Sequence, residues 1–390
     1  MSQQSSAAPT LVLTSLEKKL FSTVLALVVI MLAFGIMTDG VFFEARNLSN
    51  LLRQTAINGI LAVGMTWVIL LGGIDLSVGS VTALIGMIVA IAQTRWGWGA
   101  EGSLGILATV ALAAGIGALI GSFNAAWIAG LGIHSFVITF GMMVIARGIA
   151  MIISNGQSIS PMGSMLNGLG AGYLSIYETN VLFAVLAVLW ILYSLGSEIR
   201  ARSQRNPQPA WRVITKVSSI AIMFGGASAI CSSYQGLPIP VLAFGVVAFM
   251  GSWVLQRTRF GRYIFAVGGN ASAARLAGIS VKQVTFGVFT IMSTLAALSG
   301  VILTARLNGA TPSAGNLFEL DAIAAVVIGG TSLKGGKGSV VGSLIGALII
   351  ESLNNGMSLL NVETFYQMPL KGAIVILAVA IDSLVENKRE

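Results

Sequence analysis

A succession of long apolar runs constrains this chain more than any other feature of its sequence. A helix needs about 20 apolar residues to cross the hydrocarbon of a bilayer, because each residue advances it by only about 1.5 Å. The predicted spans are 20–38, 55–72, 79–94, 104–129, 135–153, 180–196, 214–233, 238–256, 283–305, 320–333, 338–356 and 367–384. We therefore expect an all-α polytopic membrane protein with about twelve transmembrane helices.

The composition agrees with a membrane protein. Of the 390 residues, 55% are hydrophobic and only 9% are charged, whereas soluble domains carry about 25% charged residues. The 47 glycines suit helices that pack closely within a bilayer. A net charge of +8 could indicate a nucleic-acid partner. The basic residues of this chain lie mostly in short loops, however, and that is the pattern of loops on the cytoplasmic side of a membrane protein.

The distribution of lysine and arginine predicts an orientation. The polar N-terminal tail, 1–19, and the loops 197–213 and 257–282 are basic and are expected in the cytoplasm. The C-terminal tail, 386–390, returns to the same side, so both termini are predicted to be cytoplasmic. The segment 154–179 has no Lys or Arg and is expected outside. The exceptions to the rule, predicted to lie outside, are Arg46, Arg53, Arg95 and Arg306.

Residues 20–385 are interpreted as one transmembrane domain. The run 320–333 is short enough to be a half-span that enters the membrane without crossing it alone. Residues 72–86 (GGIDLSVGSVTALIG) are similar to residues 329–346 (GGTSLKGGKGSVVGSLIG), apart from a short insertion. This similarity predicts parallel internal repeats. Chance likeness between glycine-rich apolar segments is the alternative.

The sequence contains no motif for phosphate binding or catalysis. A phosphate-binding loop needs Gly, four residues, then Gly-Lys-Ser/Thr. Around Lys337, Thr331 stands where the first glycine is required, and Gly338 stands where Ser or Thr is required. The single cysteine, Cys231, excludes an internal disulfide and a cysteine metal cluster. We expect a chain that is not an enzyme and that binds no metal or cofactor.

Polar residues at the starts of spans and within apolar runs are candidates for a path through the membrane. These candidates are Asn58, Asp75, Ser77, Asn124, Asp321, Asn354 and Asn355. Hydrogen bonding between helices is the alternative role for the amides. Asp75 has equal claims as a helix N-cap and as a contact for substrate or partner, because a carboxylate satisfies free N–H groups and suits the positive helix end.

The segment 270–278 (NASAARLAG) predicts a short capped helix in a basic loop. Asn270 is a good N-cap and Gly278 a good stop, which leaves 271–277 as about two helical turns. So short a helix is marginal in water and needs packing against something else. Its small and apolar face consists of Ala273, Leu276 and Ala277. We interpret this segment as a helix that docks into another protein.

Several motifs carry a family resemblance. SAARLAG (272–278) resembles the Glu-Ala-Ala-three residues-Gly signature of permease subunits of bacterial ABC importers, with Ser272 in place of the usual Glu. The stretches NLLRQTAINGILAVGMTWVI, GGIDLSVGS, YIFAVGGNASAARLAGISV and LDAIAAVVIGGTSLKGGKGS resemble the ribose/xylose/galactose permease family over roughly residues 40–385. Residues 180–233 resemble a two-span addition to a ten-span core that is found in D-xylose-type members.

The resemblance implies a homodimeric pore subunit in the bacterial inner membrane. It implies import of a pentose, D-xylose, with a periplasmic sugar-binding protein and a separate cytoplasmic ATPase that uses ATP. The implied coupling helix comprises Asn270, Ser272, Ala273, Ala274, Arg275, Leu276 and Gly278 within the loop 257–282. An ion-coupled secondary sugar transporter is the main rival, and it would need an ion site near the midplane. A membrane-embedded enzyme is a weaker rival, since no catalytic set is present.

Overall fold

The computed structural model describes residues 15–203 and 210–387, and this part of the chain contains fifteen α-helices. The first eight are α1 (Ser15–Met37), α2 (Ala45–Leu70), α3 (Val78–Thr94), α4 (Gly102–Ala125), α5 (Ser135–Ser154), α6 (Ser164–Ala171), α7 (Ile176–Ser203) and α8 (Ala210–Ser232). The remaining seven are α9 (Ile239–Arg257), α10 (Arg259–Gly269), α11 (Ala271–Leu276), α12 (Val281–Leu307), α13 (Phe318–Ile328), α14 (Val340–Leu359) and α15 (Thr364–Asn387). Most of the predicted tails, 1–19 and 386–390, lies outside the described residues.

Eight helical segments of the described chain are long and apolar enough to cross a membrane. They are Leu20–Met37, Gly102–Gly130, Ser135–Ser154, Ile176–Gly196, Val213–Ser232, Ile239–Arg257, Val281–Leu307 and Val340–Leu359. The chain is an all-α polytopic membrane protein, as predicted. The count of twelve spans stays a prediction, because α3 has 17 residues, α13 has 11, and α2 carries several polar side chains.

The helix α2 forms the centre of the bundle. Every residue from Thr55 to Leu70 is buried, and α2 packs against α9, α12, α13 and α14. A helix buried on all sides needs no polar face, which explains why its second half is almost wholly apolar. The long helix α12 lies beside it and contacts α3 and α4. The predicted insertion, 180–233, corresponds to α7 and α8, which pack mainly against each other.

The helices α13 and α14 approach so closely that only glycine fits between them. A Cβ atom on Gly342 would lie 2.0 Å from the carbonyl oxygen of Gly329, and one on Gly346 would lie 1.9 Å from that of Ala325. Helices in lipid gain stability mainly from such close backbone packing. The expectation that glycines allow close helix packing in this region is confirmed.

The short run 320–333 forms the helix α13, which ends earlier than expected. Its 11 residues extend about 17 Å, roughly half the hydrocarbon thickness of about 30 Å. The helix stops because Gly330 adopts a left-handed conformation with φ of 87°. At its other end, the backbone of Gly315 contacts that of Gly79. The N-terminal ends of α13 and α3 therefore meet inside the bundle.

The two similar glycine segments share a local conformation. The helix α2 ends at Leu70 and is followed by Gly72 with φ of 85°, and α13 ends at Ile328 and is followed by Gly330 with φ of 87°. The amides of Gly72 and Gly73, like those of Gly330 and Thr331, close the last helical turn onto carbonyls inside the helix. Structurally, Gly72 therefore matches Gly330, one residue away from the pairing suggested by the sequence. The helices that precede the two glycines differ in length, since α2 has 26 residues and α13 has 11. A parallel repeat of whole halves stays a prediction.

Two of the arginines predicted to lie outside have structural roles. Arg53 donates to the carbonyl oxygen of Ala171 at 2.6 Å, and its guanidinium lies 4.3 Å from the centre of the Tyr173 ring. Arg306 donates to the side chain of Asn50 at 2.8 Å. The Arg53 contacts tie α2 to the end of α6, and the Arg306 contact joins α12 to α2. These contacts explain why the two arginines occupy their positions, even though the enrichment of Lys and Arg in cytoplasmic loops would not place them there.

Candidate translocation cavity and docking helix

Polar side chains from five helices surround a cavity of about 220 Å³ inside the bundle. The helices are α2, α12, α13, α14 and α15. The lining residues are Gln54, Ile57, Asn58, Leu303, Arg306, Phe318, Asp321, Glu351, Asn354, Ser358, Gln367 and Lys371. So many polar groups within an otherwise apolar bundle mark this cavity as the candidate path for a polar solute.

A hydrogen-bonded network joins three charged residues of the cavity, Asp321, Glu351 and Lys371. Lys371 donates to Asp321 with an Nζ–Oδ2 distance of 2.8 Å. Asn354 lies 3.4 Å from both Asp321 Oδ2 and Glu351 Oε1, and Asn58 also donates to Glu351. Asp321 and Glu351 are each only 3% exposed. Buried carboxylates are costly unless they are paired and hydrogen-bonded, so this network explains how the two acids are accommodated.

The structure brings together three of the residues that the sequence suggested. Asn58, Asp321 and Asn354 come from different helices and line the same cavity. Glu351 and Lys371 were missed, although a signal was present. Glu351 interrupts the apolar run 338–356, and an ionisable residue within a span is a functional candidate by default.

Asp75 and Ser77 lie away from the cavity lining and form a tight turn. Asp75 Oδ1 accepts from the Ser77 amide at 2.8 Å and from its hydroxyl at 2.6 Å. The helix α3 begins at Val78 with Ser77 in the N-cap position. The expectation that Asp75 is the N-cap is therefore wrong, since it lies two residues earlier and stabilises the turn before the helix.

The two other candidate asparagines also lie outside the cavity lining. Asn355 and Asn47 exchange hydrogen bonds at 3.0 and 2.9 Å, which joins α14 to α2. Asn355 therefore serves as a hydrogen-bonded contact between two helices. Asn124 on α4 is fully buried, and neither of its amide atoms has a hydrogen-bond partner within the described part of the chain.

The predicted docking segment forms the helix α11 with the expected ends. Asn270 Oδ1 accepts from the Ala273 amide at 2.9 Å, as an N-cap does. Gly278 has φ of 81° and, with Ile279, closes the last turn. The helix ends at Leu276, one residue before the predicted limit. The predicted capped helix is confirmed.

The faces of α11 are sharply different. Leu276 is 91% exposed, and Ala273 and Ala277 are exposed as well. Ala274 is only 4% exposed and packs into this chain's own core. Within the implied coupling helix, Ala274 therefore holds the helix against its own protein. A leucine so fully exposed on a fixed helix offers an apolar contact to a partner.

A junction of glycines connects the neighbourhood of α11 to the helices of the cavity. The amide of Gly336 donates to the carbonyl oxygen of Leu70, at the end of α2, with a distance of 2.9 Å. A Cβ atom on Gly268, at the end of α10, would lie 1.7 Å from the same oxygen. The turn around Gly336 is thus packed against the ends of α2 and α10.

Comparison with known proteins assigns the family. Residues 47–379 match the family described as the branched-chain amino acid transport system/permease component. The chain belongs to this permease family. It is a transport subunit and not an enzyme. No solved structure matches the permease significantly.

Relatives of the permease extend over nearly its full length. It is 43% identical to the xylose transport system permease protein XylH of Haemophilus influenzae over 381 residues, which cover 97% of this chain and 99% of the relative. It is 42% identical to XylH of Escherichia coli K12, covering 96% and 94%. The ribose import permease protein RbsC of E. coli K12 is 39% identical, covering 90% and 88%.

Proposed function

We propose that this permease is the membrane-spanning subunit of an ATP-driven importer for a pentose, D-xylose. The observation that carries the proposal is the match, over almost the whole of both chains, to permeases named for xylose transport. The cavity supports it, because hydroxyl-rich solutes need hydrogen-bonding groups where lipid offers none. The partners proposed are a cytoplasmic ATPase, a periplasmic sugar-binding protein and a second copy of the permease.

The proposed coupling runs from α11 to the cavity through packed backbone. The helix α11 follows directly on α10, whose Gly268 contacts the end of α2. The glycine segment that touches the same point joins α13 to α14. These three helices carry Asn58, Asp321 and Glu351 into the cavity. An ATPase that binds α11 differently in two states would thus bias the arrangement of all three helices.

Transport in a reconstituted system tests this function. The permease, with the ATPase and binding protein encoded beside it, is expected to take up D-xylose into proteoliposomes only when ATP reaches the ATPase. D-ribose should be taken up more slowly under the same conditions. Uptake driven by a proton gradient without the ATPase would contradict the proposal and support the ion-coupled rival, for which Asp321 and Glu351 offer buried carboxylates.

Cysteine labelling tests the proposed orientation, in which the permease lies in the inner membrane with both termini and α11 in the cytoplasm. In a Cys231→Ser background, Ser158→Cys should react with a membrane-impermeant maleimide added to spheroplasts, whereas Ser272→Cys should react only after permeabilisation. Both side chains are exposed, so access depends on the side of the membrane. Gly163 is a poor labelling position because a Cβ there would lie 2.7 Å from the backbone of Gly99. Labelling of position 272 in intact spheroplasts would contradict the orientation.

A further inference from the structure

The charges that line the cavity cancel. Asp321 and Glu351 are acidic, whereas Arg306 and Lys371 are basic. The other polar lining residues are uncharged: Gln54, Asn58, Asn354, Ser358 and Gln367. Amides and carboxylates placed side by side offer donors and acceptors in many directions. A site of this kind suits a neutral molecule with several hydroxyl groups better than an anion or a cation.

One buried polar atom of the cavity lining has no hydrogen-bond partner among the described residues. Asn58 is only 6% exposed, and its Nδ2 atom donates to Glu351. Its Oδ1 atom is buried and accepts no hydrogen bond within the described residues. A buried acceptor left unpaired is costly, so such atoms need explaining. A ligand hydroxyl would satisfy it. Gln54 lies four residues earlier on the same face of α2 and lines the same cavity.

The remaining lining and the size of the cavity agree with a single sugar ring. Ile57, Leu303 and Phe318 provide apolar surface against which the C–H face of a sugar can pack. The volume of about 220 Å³ is below the range of about 300–1,000 Å³ for drug-sized ligands. This volume suits a small solute such as a monosaccharide.

We propose that this cavity is a binding site for one neutral monosaccharide, so that the permease itself selects its sugar. The inference rests on the proposed function and extends it, because selection would then not depend on a binding protein alone. Gln54 and Asn58, both on α2, would form hydrogen bonds with hydroxyl groups of the sugar. The acidic network around Glu351 would accept hydrogen bonds from other sugar hydroxyls, and Phe318 would contact the sugar ring.

Equilibrium binding tests the site directly. The full-length permease is purified in lipid nanodiscs without ATPase or binding protein and is mixed with radiolabelled D-xylose. Binding should be saturable, and D-glucuronate, which has the ring of D-xylose with an added carboxylate, should compete more weakly than unlabelled D-xylose. Gln54→Ala should weaken D-xylose binding about fivefold, the loss of one hydrogen bond. The control Gln256→Ala, at an exposed position on α9, should bind as the wild type does.

Several outcomes would overturn the site. One is the absence of saturable D-xylose binding to a permease that melts cooperatively. Another is equal binding by the Gln54→Ala and Gln256→Ala variants. Asn58→Ala is a second probe, and its unfolding temperature shows whether lost binding reflects lost structure. If either of the first two results is found while the complete importer still transports D-xylose, the assignment of this cavity as a sugar site is wrong and the proposed function stands. Binding of D-ribose without D-xylose would overturn the assignment of D-xylose as substrate and keep the site.

Discussion

A Leu276→Asp variant is expected to lose its ATPase during purification while still inserting into the membrane. Leu276 is 91% exposed on a helix whose two ends are fixed. Burying a leucine contributes about 2 kcal/mol, and a carboxylate in an apolar cleft costs more. Since each 1.4 kcal/mol is a tenfold change in affinity, binding should weaken by about a hundredfold or more. Co-purification of the tagged permease with its ATPase measures the loss.

Two matched variants separate docking from a general disturbance. Leu276→Met keeps an apolar side chain and should retain the ATPase. Leu131→Asp places the same charge at another exposed leucine, at the end of the helical turn between α4 and α5, and should do much less harm. Ser280 is unsuitable as a control site, because its hydroxyl caps α12 by accepting from Gln283. If Leu276→Asp instead binds the ATPase and transports at the normal rate, α11 is not the docking helix.

Lys371→Met is expected to destabilise the permease by about 3–5 kcal/mol, the cost of leaving a buried charge without its partner. Lys371 lies 2.8 Å from Asp321, and the two side chains are 17% and 3% exposed. Removing the lysine leaves a carboxylate beside Glu351, and within the described part of the chain only Asn354 still donates a hydrogen bond to it. Thermal unfolding of the purified permease in nanodiscs should show a lower transition temperature.

A second substitution should rescue that loss. In Lys371→Met with Asp321→Asn, neither charge remains, so most of the lost stability should return even if transport does not. Lys216→Met removes an exposed lysine on α8 and should leave the transition nearly unchanged. A Lys371→Met protein that unfolds like the wild type would show that the ion pair is not important for the fold. A double variant no more stable than the single one would show that Asp321 is not the group left uncompensated.

The docking helix was predictable because its signals are local. Asn270 caps the amide three residues ahead, and Gly278 allows a left-handed stop that other residues resist. Both requirements are met within nine residues of chain. The sequence also placed Ala273, Leu276 and Ala277 on one face, and these side chains are exposed. It did not show that Ala274 packs into this chain's own core, because that depends on helices far away in the sequence.

The cavity was only partly predictable because it forms between distant segments. Asn58 and Glu351 are 293 positions apart and yet are hydrogen-bonded. Lys371 pairs with Asp321 across 50 positions. Each polar residue could be recognised singly as unusual within an apolar run, but the same residue types also join helices, as Asn355 does. Only their convergence separates the two roles.

Local features of the sequence were enough to predict the helical membrane fold, the two similar glycine segments that follow α2 and α13, and the capped ends of α11. These depend on hydrophobic run length and on backbone preferences of single residues, which act over a few positions. Only the packed structure shows that Asp75 stabilises a turn and that four amides and four charges share one cavity. Such groupings depend on which helices pack together. In lipid, that packing is set by shape and close contact between helices rather than by hydrophobicity, so a linear pattern of apolar residues does not reveal it.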